Sequence, residues 1–169
     1  MDAAGARLMA RYKQWANRLM LDAVAALPPG EAEKPRPSPF RNIVHTLNHI
    51  LVIDRIWQAH IEGREHGYSA RNTEDWPPLA ELRAQQQAVD AWYVAWSEGL
   101  DGDGWARLVG FTLIGGNRGT MTCGEILLHL VTHASYHRGY VADMIYGVPG
   151  CRPPTLDLPV YMREAHAAV

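Results

Sequence analysis

Apolar positions recur every three or four residues along the first part of the chain, and this period predicts two amphipathic helices there. The first helix runs from about Ala3 to Leu27 and is stopped by the Pro-Pro-Gly sequence that follows. The second begins with Ser38 as its N-cap and Pro39 in the first helical position, and it runs to about Glu62.

A polar stretch without a regular apolar period, residues 64–78, follows the second helix and predicts a long crossover connection. Two prolines at the end of this stretch open a third helix, which ends at the glycine- and aspartate-rich residues 101–104. Runs of β-prone residues flank the Gly-Gly-Asn sequence at 115–117. A short hairpin or irregular insert is therefore expected before the next helix.

A fourth long helix is predicted to begin at Thr122, because Thr122 and Glu125 have the spacing of a capping box. It runs to about Tyr146, and a short C-terminal helix is expected from about Leu158. Four long helices with one long crossover predict an all-α fold. We expect a four-helix bundle that forms a single domain over residues 1–169.

The composition is ordinary for a soluble globular protein, with 47% apolar residues, 20% charged residues and a formal net charge of −2. This charge balance does not indicate a nucleic-acid partner or an anionic membrane surface. The N-terminal residues 1–20 are too polar for a signal peptide or a membrane span, so we expect a cytoplasmic protein.

The chain has only two cysteines, Cys123 and Cys151, which excludes a disulfide framework and an all-cysteine metal cage. Such a low number suits a reducing compartment. Cys123 lies at the start of the fourth predicted helix, where the helix dipole could lower the pKa of its thiol. A small packed side chain is the favoured interpretation of Cys123, and a nucleophile is the alternative.

Histidines stand four residues apart on two of the predicted helices: His45 and His49 on the second, and His129, His133 and His137 on the fourth. Residues at i and i+4 share one face of a helix. Both sets fall among apolar residues, on the faces that are expected to point into the core. Because buried imidazoles need partners for their nitrogens, a metal site is favoured over a solvent-facing or hydrogen-bonded histidine cluster.

Position along the helices selects three of these histidines. His49 lies eleven residues after the predicted cap at Ser38, and His133 lies eleven residues after Thr122, so both are expected near mid-helix. His133 and His137 could then chelate one ion from adjacent turns, with His49 completing the set from the facing helix. We therefore predict a metal site formed by these three residues.

The remaining residues of the two stripes have less defined roles. His45 and His129 each lie one turn nearer the helix start. Ordinary polar lining is the favoured interpretation of both, and the alternative is that they line the mouth of the site or support its ligands. Asn48, Tyr136 and Arg138 neighbour the predicted ligands in sequence and could orient a substrate. Helical phase places Arg138 off the histidine stripe, which favours a surface or dimer contact for its side chain.

Three neutral imidazoles with a free fourth position would make an open metal site that can activate water or bind a thiolate. Zinc and nickel are the favoured ions, and iron, manganese and copper also accept imidazole ligands. No glutamate follows His133 or precedes any histidine by three residues. This excludes the HExxH motif of zinc proteases and the Glu-x-x-His motif of carboxylate di-iron bundles.

Three segments resemble the DinB/YfiT-like family of small metal-binding helical bundles: HTLNHILVIDRIW at 45–57, EILLHLVTHASYHRGYVADM at 125–144, and DLPVYMRE at 157–164. The second segment, with its His-x-x-x-His-Arg-Gly run, is the most specific. The resemblance covers nearly the whole chain and implies a four-helix bundle with a long crossover, often a homodimer. It also implies a divalent metal held by the residues that correspond to His49, His133 and His137.

Some members of the family that the chain resembles are transferases or isomerases that use low-molecular-weight thiols, whereas many have no assigned reaction. Three hypotheses follow. The first is a metal-dependent enzyme, a thiol S-transferase or a hydrolase, that acts on a small molecule such as a low-molecular-weight thiol. The second is a non-catalytic metal-binding protein of the stress-response, DNA-damage-inducible type. The third is an interaction bundle whose histidines bind nothing.

Overall fold

A computed structural model describes residues 2–167, which form six helices and one two-stranded antiparallel sheet. The helices are α1 (Ala3–Ala25), α2 (Ile43–Glu62), α3 (Leu79–Gly99), α4 (Gly102–Ala106), α5 (Cys123–Tyr146) and α6 (Leu158–Ala167). The strands β1 (Leu108–Thr112) and β2 (Arg118–Thr122) form a hairpin directly before α5. The protein is therefore mostly helical, as the apolar period predicted.

The four long helices pack around a common apolar core. Helix α1 contacts α3 and α5, and α2 also contacts α3 and α5. Each helix contributes fully buried aliphatic side chains, among them Leu21, Ile50, Leu82 and Leu130. Truncating a buried leucine of this kind to alanine costs about 2–5 kcal/mol, so this core is a main source of stability.

The predicted start of the second helix is wrong. Helix α2 begins at Ile43, and its N-cap is Asn42, whose Oδ1 accepts a hydrogen bond from the backbone N–H of His45 at 2.7 Å. Ser38 instead begins a turn in which the N–H of Arg41 donates to the Ser38 carbonyl at 3.1 Å. Arg41 has a positive φ of 61°, a left-handed conformation that interrupts any helix before Asn42.

Most of the other predicted helix ends agree with the structure. Gly63 ends α2 in the left-handed conformation with a φ of 70°, which glycine adopts without strain. Thr122 and Glu125 form the predicted capping box of α5. Helix α1 stops at Ala25, two residues before the predicted end at Leu27. The short helix α4 was not predicted.

Charged side chains lie inside the helix layer, where the sequence pattern did not place them. Asp54 of α2 is buried and accepts a hydrogen bond from Lys13 Nζ through Oδ2 at 2.6 Å. The same ammonium group donates to Asp90 Oδ1 at 2.7 Å. Arg138, expected at the surface or a dimer contact, is buried and donates to Asn17 Oδ1 at 2.6 Å. The ion pairs of Lys13 with two carboxylates and the hydrogen bond of Arg138 make these positions compatible with the interior.

None of the helices between residues 2 and 167 combines the length and the apolar character that a membrane crossing requires.

Candidate metal centre

Helices α2 and α5 bring three imidazoles together. His49 projects from α2, and His133 and His137 project from successive turns of α5, so that one ring nitrogen of each lies within 4.8 Å of the others. His49 Nε2 is 3.1 Å from His133 Nε2. The ring centroids of His133 and His137 are 4.3 Å apart, and those of His49 and His137 are 4.5 Å apart. Three imidazole nitrogens thus converge on one point.

The spacing of these nitrogens is compatible with a small divalent ion. In a tetrahedral site with metal–nitrogen bonds of about 2.0–2.1 Å, neighbouring ligand nitrogens lie roughly 3.3–3.4 Å apart. The separation of 3.1 Å between His49 Nε2 and His133 Nε2 is close to that value. The Nδ1 atoms of His133 and His137 are buried and have no hydrogen-bond partner within residues 2–167. These residues can therefore hold a metal ion after small shifts of the rings.

The orientation of His49 is set from outside the cluster. Its Nδ1 lies 2.8 Å from the carbonyl oxygen of Arg71, in the crossover between α2 and α3. A carbonyl oxygen can only accept a hydrogen bond, so the proton of the neutral ring is on Nδ1 and the lone pair is on Nε2. The lone pair of His49 accordingly faces the other two imidazoles, as metal binding requires.

Burial lowers the pKa of all three imidazoles below the ordinary value of 6.5. For His133, desolvation and then repulsion from His137 and His49 lower the pKa to about 2. Desolvation and repulsion from His49 lower the pKa of His137 to about 4. All three rings are therefore neutral at pH 7, which is the form that binds metal without first releasing a proton.

The cluster forms one wall of a cavity of about 630 Å³. Apolar side chains of Ile53, Trp57 and Leu113 line another part, and Arg71 contributes the only charged side chain among the lining residues. No aspartate or glutamate of the described segment, residues 2–167, lines this cavity. A dication here would keep its charge, and the cavity would favour an anionic group beside an apolar one.

The segment before α2 closes one side of the cavity. Because the chain turns at Ser38 instead of starting a helix there, Phe40 packs against the imidazoles. Its ring centroid lies 4.7 Å from that of His137 in an edge-to-face arrangement and 5.7 Å from that of His49. The helical periodicity did not single out Phe40, although an aromatic side chain directly after the prolines of this loop was an available signal.

His45 and His129 line the cavity but lie outside the three-nitrogen cluster. The His45 ring packs edge-to-face on Trp76 at a centroid distance of 5.6 Å. His129 packs on Trp57 at 5.3 Å and on His133 at 5.5 Å, and burial lowers the pKa of its imidazole. Both positions fit the expectation that these two histidines line the site.

The three residues that neighbour the predicted ligands in sequence do not all line the cavity. Tyr136 lines the cavity, is 61% exposed, and has its hydroxyl 3.0 Å from that of Tyr140. Asn48 is buried and hydrogen-bonded to the crossover instead of lining the cavity. Arg138 lies on the α1 side of α5, bonded to Asn17, and not in the cavity. These contacts leave Tyr136 as the singled-out side chain that can reach a bound molecule.

Cys123 is fully buried at the start of α5, and desolvation raises the pKa of its thiol. A raised pKa disfavours the reactive thiolate at neutral pH. The packed-residue interpretation of Cys123 therefore agrees with its surroundings.

Comparison with known sequences identifies the protein family of this chain. A search of curated proteins finds no matching sequence. The sequence pattern of the DinB family matches residues 1–168, which is essentially the whole chain. This protein therefore belongs to the DinB family.

Proposed function

We propose that this protein binds a divalent metal through His49, His133 and His137 and that it is a metal-dependent thiol S-transferase or hydrolase. The observation that carries the proposal is the convergence of three neutral imidazole nitrogens within 4.8 Å, at the wall of a cavity of about 630 Å³. Three protein ligands leave a tetrahedral ion one position for water or a substrate.

Zinc or nickel is the proposed ion, with iron and manganese as further candidates, because borderline ions accept neutral imidazole readily. Bound there, such an ion would lower the pKa of a coordinated water or thiol. The protein's own part is to hold the three rings neutral and pre-oriented. The ring of His49 is held by its hydrogen bond to the Arg71 carbonyl at 2.8 Å, and desolvation keeps the rings of His133 and His137 neutral.

The lining of the cavity supports a low-molecular-weight thiol as the proposed substrate. A thiolate suits a site that has no carboxylate in its lining within residues 2–167. Ile53, Trp57 and Leu113 offer an apolar surface for an electrophilic co-substrate. Tyr136 could donate a hydrogen bond through its hydroxyl, and Arg71 could bind an anionic end of either molecule.

We also propose that the four long helices constitute a bundle with the α2–α3 connection as its crossover, and that two chains associate as a homodimer in the cytoplasm. Exposed leucines on and beside α5, Leu108, Leu113 and Leu128, support association. The free thiols of Cys123 and Cys151 suit a reducing compartment. Sedimentation equilibrium at micromolar concentration should give twice the chain mass, and a monomer would contradict the dimer.

The decisive experiment begins with protein purified without a histidine tag, stripped of metal and reloaded with zinc or nickel. Thiol transfer to small electrophiles and hydrolysis of esters and amides are then measured side by side. Turnover that requires the metal and a thiol supports the transferase. Metal-dependent hydrolysis without any thiol-dependent turnover would contradict the transferase and support the hydrolase.

A non-catalytic metal-binding protein of the stress-response type is the second candidate. The cavity beside the cluster favours the enzyme, because a purely structural ion is normally closed off by four protein ligands. A metal-bound crystal structure with anomalous scattering would count the ligands. A fourth protein ligand on the ion would favour the non-catalytic protein.

A further inference from the structure

The crossover between α2 and α3 touches the imidazole cluster through one hydrogen-bonding backbone atom, the carbonyl oxygen of Arg71. This oxygen determines which nitrogen of His49 carries the proton. Arg71 lies in an irregular segment without the regular hydrogen bonds of a helix or strand. Some other contact must therefore hold the carbonyl group in place.

Asn48 provides that contact. It is 1% exposed, and its Oδ1 accepts hydrogen bonds from the backbone N–H of Thr73 at 3.0 Å and from Asn72 Nδ2 at 3.2 Å. Its Nδ2 donates to Thr73 Oγ1 at 3.0 Å. Asn72 Nδ2 also donates to the carbonyl oxygen of His45 at 2.8 Å. Within residues 2–167, every side-chain hydrogen bond of Asn48 is thus made with the two residues that follow Arg71.

Asn48 and His49 are neighbours on α2, and hydrogen bonds through the crossover link their side chains. Asn48 holds residues 72–73, the loop presents the Arg71 carbonyl, and this carbonyl holds the ring of His49. The Nδ1 atoms of His133 and His137 have no partner within residues 2–167, and the hydrogen bond of His133 Nε2 is made with His49 itself. Within residues 2–167, His49 is therefore the member of the cluster whose ring is held by a hydrogen bond from outside the cluster.

We propose that Asn48 is a positioning residue for metal binding: it places the Arg71 carbonyl and thereby selects the tautomer and orientation of His49. This inference rests on the proposed metal-binding function. Partners that orient a metal-ligating histidine typically change metal affinity by about 10–100-fold when they are removed. A merely structural role for Asn48 would lower stability without changing the tautomer of His49.

The test uses the full chain with Asn48→Ala. Zinc affinity is measured by competition with a chelating dye, and the tautomer of His49 is read from nitrogen-15 NMR of the metal-free protein. Zinc affinity should fall about 10–100-fold, and His49 should change from a single Nδ1–H form to a mixture of tautomers. Thr73→Val, which keeps the backbone donor but loses the hydroxyl acceptor, should give a smaller loss.

Gln86→Ala is the matched control, because Gln86 is also a buried amide and donates to Asp54 Oδ2 at 2.7 Å, away from the cluster. It should lower the free energy of unfolding but leave zinc affinity and the His49 tautomer unchanged. Folded Asn48→Ala with wild-type affinity and an unchanged tautomer would overturn the proposal. If Asn48→Ala does not fold, unchanged affinity and tautomer in Thr73→Val would overturn it.

The two proposals fail in different ways. A wild-type protein that binds neither zinc nor nickel contradicts the proposed function. The tautomer of His49 in the metal-free variants still decides in that case whether Asn48 positions the ring.

Discussion

Lys13 Nζ lies 2.6 Å from Asp54 Oδ2 in the interior of the helix layer, where neither side chain is more than 1% exposed. Asp90 provides a second carboxylate at 2.7 Å from the same ammonium group. Burial by itself would lower the pKa of Lys13, but attraction to the two carboxylates outweighs it and the pKa is raised. Lys13 is therefore charged and links α1 to both α2 and α3.

We predict that Lys13→Met lowers the free energy of unfolding by about 3–5 kcal/mol, because it leaves two buried carboxylates without a counter-charge. Urea denaturation of the metal-free protein measures this loss. Arg11→Ala is the control, since the pair of Arg11 with Glu98 is about half exposed, and its loss should change stability by less than about 1 kcal/mol. Similar losses in both variants would contradict the prediction.

The second prediction concerns the metal. His133→Ala should abolish stoichiometric binding of zinc or nickel, because only two of the three imidazole ligands, His49 and His137, would remain. Elemental analysis of tag-free protein measures the bound metal. His129→Ala is the matched control, because His129 lines the same cavity one turn away but lies outside the three-nitrogen cluster. Equal metal content in both variants would refute the assignment of the ligands.

The third prediction is a loss of stability of the metal-free protein between about pH 6.5 and pH 4. The folded-state pKa values of His133 and His137, about 2 and about 4, lie below the unfolded value of 6.5. Over this range the unfolded chain binds more protons than the folded one, so the free energy of unfolding falls as pH falls. Each histidine contributes a slope of at most about 1.4 kcal/mol per pH unit.

Urea denaturation at several pH values, with a chelator present, measures this slope. His133→Gln should make it shallower, because glutamine occupies a similar volume but does not titrate. The slope for His166→Gln should match that of the wild type, since His166 is exposed on α6. A slope that is the same in all three proteins would show that the buried imidazole does not cause it.

The fourth prediction tests the start of α2. Asn42→Ala should lower the free energy of unfolding by about 0.5–2 kcal/mol, because Asn42 Oδ1 caps the backbone N–H of His45. Ser38→Ala is the control, because Ser38 lies in the preceding turn and caps no helix. Thermal or urea denaturation of both variants measures the difference. A larger loss for Ser38→Ala would indicate that the helix begins at Ser38 after all.

Local chemistry made much of the fold predictable. The capping box of Thr122 and Glu125 and the helix end at Gly63 depend on residues three or four positions apart, so they can be recognised without knowledge of the rest of the chain. The cap of α2 could not be chosen this way. Both Ser38 and Asn42 are good caps, and the left-handed conformation of Arg41 decides between them.

The same distinction applies to the candidate site. The i, i+4 spacing of His133 and His137 follows from the helical period, and it places them on one face whatever α5 packs against. That His49 meets them was inferred from an equal depth of eleven residues, but His49 lies only seven residues after its actual cap at Asn42. The packing of α2 on α5, and not their numbering, brings the rings together.

The sequence by itself determined the long helices apart from the start of α2, the inward histidine stripes and the absence of carboxylate ligand motifs, because each depends on neighbours along the chain. Only the tertiary structure decided that Lys13 meets Asp54 in the core and that the Arg71 carbonyl holds His49. A backbone carbonyl carries no residue-specific signal, and a charged side chain is buried only when a distant segment supplies its partner. Contacts of that kind arise from the packing of helices and loops.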